Sequence, residues 1–532
     1  MKLRLITRFG ALCVLLVLVQ GAFGQKAGGE LKIHYRWNNQ FSISQPDKSL
    51  KPVFAFAAQK VGVTLKDVAN PVATNDTQEF QLQAAEQFSA ADIYGGSSLA
   101  EYFYQYGTEG AFVDLMPYVK SGKLPNFKKF LDANPDVYAA IVNPEGKLYH
   151  MPYVPDGGVA RVYYLRTDWL KKLGLAAPKT VEELEKVLVA FRDKDPNGNG
   201  KKDEIPYFND KYREGVRLLT LWGARVYGND NYGVRVVADQ KGGKMYHAWT
   251  DAKFKAALKE MARWYKEGLV DQQLFTRKEN TARKELWTKL NVGGMTHEWV
   301  ASTGNYNLDK DLLKVVPDFK IEVFAPWGYK GAQGFEEHAR VLVKPDGWVV
   351  SAQSKNKDAA LAFMDWFYGE EGRNTTNFGV QGQTWDKLGP NGHPVFKPEV
   401  LDESAKSGGM NRYLWEKQGA QAPLGYFQDY EYERPWTPEL AVKGVDLYAS
   451  KAVKYAYLTP VMTFTKAEQE VVSEITDVLN AFLEESVINM ITGKAEVDAG
   501  WAAYVAKAKE LGSERLVAAY QSAYARYLKS TN

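Results

Sequence analysis

Cysteine is almost missing from this chain of 532 residues, with Cys13 the only one. Residues 25–532 therefore hold no disulfide, no thiolate metal site and no cysteine nucleophile. Histidine is scarce as well. His34, His150, His247, His297, His338 and His393 are scattered, and none forms an HExxH or similar ligand pair, so a zinc site is not expected. The Gly-x-Ser-x-Gly elbow, the phosphate-binding P-loop and the dinucleotide fingerprint do not occur. No segment offers 18 uninterrupted apolar residues, the length a membrane-spanning helix needs. Charge of one sign is lacking too. The formal net charge of +3 equals the charge on Lys2, Arg4 and Arg8, which leaves no footprint for nucleic acid or an anionic membrane.

Those three basic residues precede an apolar run at 11–19 and the small-residue site Ala22-Phe23-Gly24, so residues 1–24 read as a cleaved secretory signal. A large exported chain without disulfides fits a bacterial periplasm. What remains is too long for one core, and two or more domains are expected.

Helical and strand-like segments alternate, without repeats or low-complexity tracts. Residues 31–35 predict a strand ending at Arg36-Trp37-Asn38-Asn39, and α/β folds place ligand sites at such strand ends. Thr180 with Glu183 predicts a capped helix carrying Leu184, Val187, Leu188 and Phe191 on one face. A second helix is expected over 251–267, with Gly268 as its stop, and two long ones over 466–492 and 497–528, parted by Gly493. Breaks rich in Pro and Gly at 151–158, 326–334 and 421–425 are candidate crossovers, though each also reads as a surface turn.

The capped helix runs into Asp195-Pro-Asn-Gly-Asn-Gly-Lys-Lys-Asp-Glu204. Asp195, Asn197, Asn199 and Asp203 occupy positions 1, 3, 5 and 9 of a calcium loop, Gly200 takes the sharp turn at 6, and the Lys201 carbonyl serves at 7. Pro206 replaces the usual bidentate glutamate at 12, which leaves Glu204 as the nearby substitute. An Asx-rich turn without metal is the competing reading. No helix pattern follows, so this is half of an EF-hand.

Glu298, Asp429, Glu431 and Glu433 could pair for glycoside hydrolysis, but sequence gives no carboxyl separation. Aromatic residues say more. With 14 Trp and 31 Tyr, several cluster beside Arg, Asn and Gln: Arg36-Trp37-Asn38, Trp222-Gly-Ala-Arg225, His297-Glu298-Trp299 and Tyr430-Glu-Tyr-Glu-Arg434-Pro-Trp436. An indole stacks on the apolar face of a sugar ring, and arginine forks onto a carboxylate or sulfate. For any one Trp, a place in the core is the alternative.

Leu165-Arg-Thr-Asp-Trp-Leu-Lys-Lys-Leu-Gly174, Pro178-Lys-Thr-Val-Glu-Glu-Leu184, Trp264-Tyr-Lys-Glu-Gly-Leu-Val-Asp271 and Phe378-Gly-Val-Gln-Gly382 resemble the solute-binding proteins of bacterial ABC sugar importers. Within that group the acidic loop, Pro152-Tyr-Val-Pro-Asp-Gly157, Gly293-Gly-Met-Thr-His297 and residues 429–436 are similar to alginate-oligosaccharide-binding periplasmic proteins, whose relatives bind unsaturated glycosaminoglycan disaccharides. The resemblance implies an α/β, two-lobed periplasmic-binding-protein fold of type II, with mixed sheets flanked by helices and a hinge between lobes. Residues 25–150 with about 335–400 would form one lobe, and 151–334 with about 401–532 the other.

It further implies a monomer that binds an acidic, uronate-containing oligosaccharide without enzymatic turnover and delivers it to the transmembrane subunits of an ABC importer. Structural calcium would sit on Asp195, Asn197, Asn199, Lys201, Asp203 and Glu204. Ligand contacts would come from Trp37, Asn38, Tyr153, Trp222, Arg225, Trp299, Arg434 and Trp436. Residues 38–50 depart from the pattern, with Gln40-Phe-Ser-Ile-Ser in place of a more aromatic run. A secreted, calcium-stabilised polysaccharide hydrolase or lyase, or a glycan adhesin, are the other readings.

Overall fold

A computed structural model describes residues 28–531 apart from Asp156, Asp230 and Gly408, so the leader lies outside the described residues. Two mixed sheets organise it. In the first, strand Glu30–Trp37 runs parallel to Thr64–Asp67 and Ile93–Gly96 and antiparallel to Phe41–Ser42. Gly347–Val350, His150–Val154 and Tyr426–Phe427 extend the sheet beyond Ile93–Gly96. In the second, the order is Ile321–Phe324, Arg161–Arg166, Gly293–Trp299, Ile205–Tyr207.

The central strands of both sheets are buried on both faces, as strands covered on each side are. Along Glu30–Trp37, the residues Leu31, Ile33, Tyr35 and Trp37 enter one core. His34 and Arg36 face the other way, where Glu79 and Asp76 of helix Asp76–Leu82 pair with them at 3.2 Å each. Along Arg161–Arg166, Tyr163 and Leu165 enter the core shared with the C-terminal helices, while Val162 and Tyr164 enter a smaller one.

The expected helices form. Val181–Asp193 buries Leu184, Val187, Leu188 and Phe191, and its N-cap Thr180 accepts from the Glu183 amide at 3.2 Å. Ala252–Lys266 starts at Asp251 and ends before Gly268, which adopts φ 73°. The expected helix over 497–528 is two helices, Val497–Glu510 and Ser513–Thr531. The break comes at Gly512, whose φ of 98° suits glycine and whose absent Cβ leaves room for Ile475, 2.7 Å from where it would stand.

The lobe boundaries differ from those expected. Met410, Tyr413, Leu414, Leu424 and Tyr426 pack into the core around Trp37 and Trp348, so the chain beyond 401 stays in the first lobe until about Tyr432. Strand His150–Val154 also belongs to the first sheet, and the first crossing begins after it. The chain thus crosses between lobes at residues 155–160, 337–346 and 428–438. Of the Pro/Gly breaks, only 151–158 coincides with a crossing. Residues 326–334 stay in the second lobe, where Trp327 Nε1 donates to the Pro178 carbonyl at 2.9 Å, and 421–425 lead into strand Tyr426–Phe427 of the first. Among the described residues no helix is long and apolar enough to cross a membrane.

Replacing Leu414 by alanine tests the revised boundary. Its side chain is fully buried in the first-lobe core, so the substitution should cost ~2–5 kcal/mol in a urea titration followed by circular dichroism. A loss under ~0.5 kcal/mol would place residues 410–426 outside that core.

Candidate functional site

Three crossings meet around Arg340. Its backbone N–H donates to the Gly158 carbonyl and its Nε to the Val159 carbonyl, both at 3.0 Å. Its guanidinium carbon lies 3.8 Å from the Tyr430 ring centre, and Tyr430 packs against Gly157. One side chain therefore touches the first and third crossings from the second. Among the described residues, no hydrogen-bond partner stands at its two terminal nitrogens. A half-buried, flat cation stacked on a tyrosine, its Nε already engaged, presents the end-on fork of its two terminal nitrogens, a geometry that takes a carboxylate.

Trp299 ends strand Gly293–Trp299 beside the first crossing. The Arg161 guanidinium covers one face of its ring at 4.6 Å, and His338 meets the indole at 5.8 Å, edge to face. Glu298 Oε2 accepts from Arg161 at 2.7 Å and from the Trp299 amide at 3.0 Å, so ring and backbone are held by the same carboxylate. Trp299 remains half-buried, with Arg161 on one face only.

Beneath it lies a fully buried set of charges. Glu214 takes Arg161 at 3.2 Å, Arg217 at 3.1 Å and His338 at 3.3 Å. Glu337 takes Arg217 and Arg225 and accepts from the amides of Val226 and Tyr227 at 2.9 and 3.2 Å. Glu336 pairs with His297 at 2.9 Å. Burial opposes ionisation of Glu214, but His338, Arg217 and Arg161 outweigh it and hold the carboxyl well below the ordinary range.

The expected contact residues divide. Tyr153 stacks on Tyr426 at 5.0 Å and 7°, while Trp436 packs beside Tyr432 in the third crossing with its buried Nε1 unpartnered; with Trp299, these half-buried rings sit where the chain crosses. Asn38 is exposed in a left-handed turn, φ 54°, at its strand end. Three others are corrected. Trp37 is 0% exposed in the first core. Trp222 stands edge-on to Trp264 at 4.8 Å in the second. Arg225 spends its donors on Glu337 and on the carbonyls of Ala238 and Tyr457 at 3.0 and 2.9 Å. Arg434 is 44% exposed but turns to Glu431 and Asp446, at 3.1 and 3.3 Å. Of the carboxylates considered for hydrolysis, Glu298 is committed to Arg161, Asp429 to His393 at 2.6 Å, and Glu433 accepts from Tyr432 at 2.8 Å.

The acidic loop, residues 195–204, lies between helix Val181–Asp193 and strand Ile205–Tyr207. The Asp195 carboxylate accepts from the amides of Gly198, Asn199 and Gly200 at 2.8, 3.0 and 2.9 Å, which holds it below the usual carboxylate range. The side-chain amides of Asn197 and Asn199 donate to Asp203 at 3.3 and 3.1 Å. Glu204 is different. It is 7% exposed, neither carboxylate oxygen makes a hydrogen bond of normal geometry among the described residues, and burial, with Asp195 and Asp203 adding to it and the nearby Glu204 and Asn197 amides opposing, raises it above the usual range. Among the described residues no three His, Cys, Asp or Glu side chains gather at one point, so a cation here would also draw on the Asn amides and the Lys201 carbonyl. An all-oxygen set with an orphaned buried carboxylate fits calcium chemistry.

Residues 53–383 match the model of the bacterial extracellular solute-binding proteins. The chain belongs to that family. Its two-lobed periplasmic-binding-protein fold is shared with the calcium-free crystal structure of the alginate-binding protein AlgQ2, which is 37% identical and superimposes with a TM-score of 0.74 over 93% of this chain and 98% of that one. The fructooligosaccharide ABC transporter substrate-binding protein FusA of Streptococcus pneumoniae is 25% identical over 79% of both chains. The polygalacturonan/rhamnogalacturonan-binding protein YtcQ of Bacillus subtilis is 24% identical over 68% of both.

In this solute-binding protein, Arg340 and Arg161 are the residues at the crossings that the sequence did not single out. Arg340 has no aromatic neighbour in sequence, and its Tyr430 partner is 90 positions away; only the fold brings them together.

The neighbourhood of Trp37 is measurable through Lys51, 2% exposed, whose Nζ lies 4.5 Å over the Trp37 ring and 5.2 Å over Phe41. Burial pulls its pKa down to about 7, with Asp67 and Glu416 opposing in part. The unfolded chain then binds more protons than the folded one between about 7 and 10.5, so this group's contribution to stability rises with pH across that window. Lys51→Met removes the effect. Its Tm advantage over the parent should be largest at pH 7 and shrink toward pH 10; parallel melting profiles would show that Lys51 is not held in an apolar site.

Proposed function

We propose that this protein captures an acidic, uronate-containing oligosaccharide between its lobes outside the cytoplasm and delivers it to the membrane subunits of an ABC importer. The observation that carries the reading is Arg340, a stacked guanidinium at the meeting of all three crossings whose two terminal nitrogens have no hydrogen-bond partner among the described residues. Tyr430 stacks on it, Tyr153, Trp299 and Trp436 offer further half-buried rings at or beside the crossings, and the 37% identical relative is named for binding alginate, a uronate polymer. No bond is broken in this scheme. A ligand touching both lobes favours the arrangement in which both can touch it, and moving a two-state hinge from mostly open to mostly closed takes about 5.5 kcal/mol of preference.

Calorimetry with alginate oligosaccharides and uncharged oligosaccharides of equal length tests it. Arg340→Ala should weaken binding of the uronate ligand roughly 10–100-fold, the worth of one charged hydrogen-bonded pair, and leave weak neutral binding alone. Trp299→Ala should cost about tenfold for either ligand. Equal affinity of the parent for charged and neutral sugars would remove the uronate assignment. Appearance of new reducing ends or unsaturated products at enzymatic rates would replace the binding reading by a hydrolase or lyase.

In the same reading, loop 195–204 carries a structural calcium ion on Asp195, Asn197, Asn199, Lys201, Asp203 and Glu204. The ion would supply the charge that the buried Glu204 carboxylate lacks. Calcium added to chelator-treated protein should raise Tm, since an ion bound only by the folded state adds ~2.7 kcal/mol at a hundredfold excess over Kd. Glu204→Gln should abolish most of that rise while leaving the chelator-treated Tm unchanged or higher. An identical calcium response in the variant would take Glu204 out of the ion's shell.

A further inference from the structure

The chain crosses between lobes three times, but a fourth segment joins them without crossing. Residues 461–464 are rooted in the second lobe at both ends. On the N-terminal side, Thr459 Oγ1 donates to the Val236 carbonyl at 2.8 Å. On the C-terminal side, Thr465 caps helix Lys466–Ile491 in a complete capping box with Glu468. Arg526 of the last helix binds that same Glu468 and donates to the Thr463 carbonyl at 3.4 Å. Burial would raise the Glu468 carboxyl, but the Arg526 bond leads the groups that bring it down to about 2, so this root stays ionised across the neutral range.

Between the roots, successive residues turn to opposite lobes. Val461 packs on the first-lobe core and Met462 on the second. Thr463 Oγ1 donates to the Val142 carbonyl of the first lobe at 2.8 Å, whereas the Phe464 ring meets Tyr520 of the second, edge to face at 5.1 Å. The Phe464 carbonyl then accepts from Tyr104 of the first lobe at 3.1 Å. Alternation of period two is what an extended segment shows between two surfaces. A crevice of about 190 Å³ runs alongside, lined from the first lobe by Tyr138, Val142 and Asn143 and from the second by Thr463, Arg526 and Tyr527.

We infer that residues 461–464 act as a strap that sets the angle between the lobes and, through it, ligand affinity. Any rotation of one lobe on the other strains or breaks the Thr463–Val142 and Tyr104–Phe464 bonds and draws Val461 from its place. The apparent dissociation constant of a binding protein is its intrinsic value divided by the fraction of molecules in the competent arrangement. A contact that biases that fraction tunes affinity without touching the sugar. This use of the strap rests on the capture of an oligosaccharide proposed above, but its mechanical part does not.

The absence of cysteine after residue 24 makes the test direct. Val142→Cys with Thr463→Cys, joined by a short bis-maleimide, fixes the strap to the first lobe. Tyr104→Phe with Thr463→Val removes both hydrogen bonds instead. The cross-linked protein should give one small-angle X-ray scattering profile that does not change with alginate oligosaccharide, and its Kd should differ at least fivefold from the same variant left unlinked. The bond-deleted variant should shift Kd in the opposite direction with little change in Tm. Failure of the two cysteines to cross-link, or cross-linking that leaves scattering and Kd as they were, overturns the strap. If no variant binds any uronate oligosaccharide, the capture reading falls alone, and the scattering of linked against unlinked protein still decides whether the strap restrains the lobes.

Discussion

Three consecutive residues where the chain enters the second crossing, Glu336, Glu337 and His338, are each taken up by a different part of the second lobe. His297 on a strand holds the first. Arg217, Arg225 and two backbone amides hold the second, and Glu214 on a short helix holds the third. Charges this deep are tolerable only when all are paired, since an unpaired one carries a desolvation cost of several kcal/mol. Full pairing fixes the crossing strand to the second lobe as firmly as a sheet edge would, and strand pairing with Lys454–Tyr455 adds to it. Whatever bends in the second crossing on lobe motion must therefore lie beyond His338, where Arg340 is.

The same lattice supports the ring at the site. Arg161 meets Glu298, Glu214 and the Trp299 face, so the platform inherits its rigidity from charges that never meet the solvent. Rigidity matters for recognition because a preorganised surface orders less on binding. It also divides labour within the molecule. The second lobe supplies a ring held by charges, whereas Tyr153, Tyr430 and Trp436 pack on the first-lobe core.

Much of this was legible beforehand and some was not, for identifiable reasons. Helix Val181–Asp193 could be read because cap, apolar spacing and the following loop all agree within twenty residues. The oxygen-bearing pattern of 195–204 is equally local. Trp37, Trp222 and Arg225 were misread because a tryptophan beside an arginine looks alike in a cleft and in a core, and depth is not written in nearest neighbours. Residues 410–426 depart from the expected lobe because their partners, Trp37 and Trp348, lie far back in the chain. Arg340 was overlooked for the same cause. The helix break at Gly512 was visible as a glycine, but its necessity depends on Ile475, which only the folded chain brings alongside.

The charge lattice under Trp299 also bears on how such a protein can change over generations. No member of it can be exchanged singly without stranding a partner in the interior, so Arg161, Glu214, Arg217 and Glu337 are bound to persist or to vary together. The first-lobe rings carry no such obligation. Tyr153, Tyr430 and Trp436 are half-buried, and none has a charged lattice of its own. If the proposed site is the one used, diversification toward new solutes has one permissive wall and one conservative wall, and descendants with altered diets should differ chiefly on the side that the lattice does not reach.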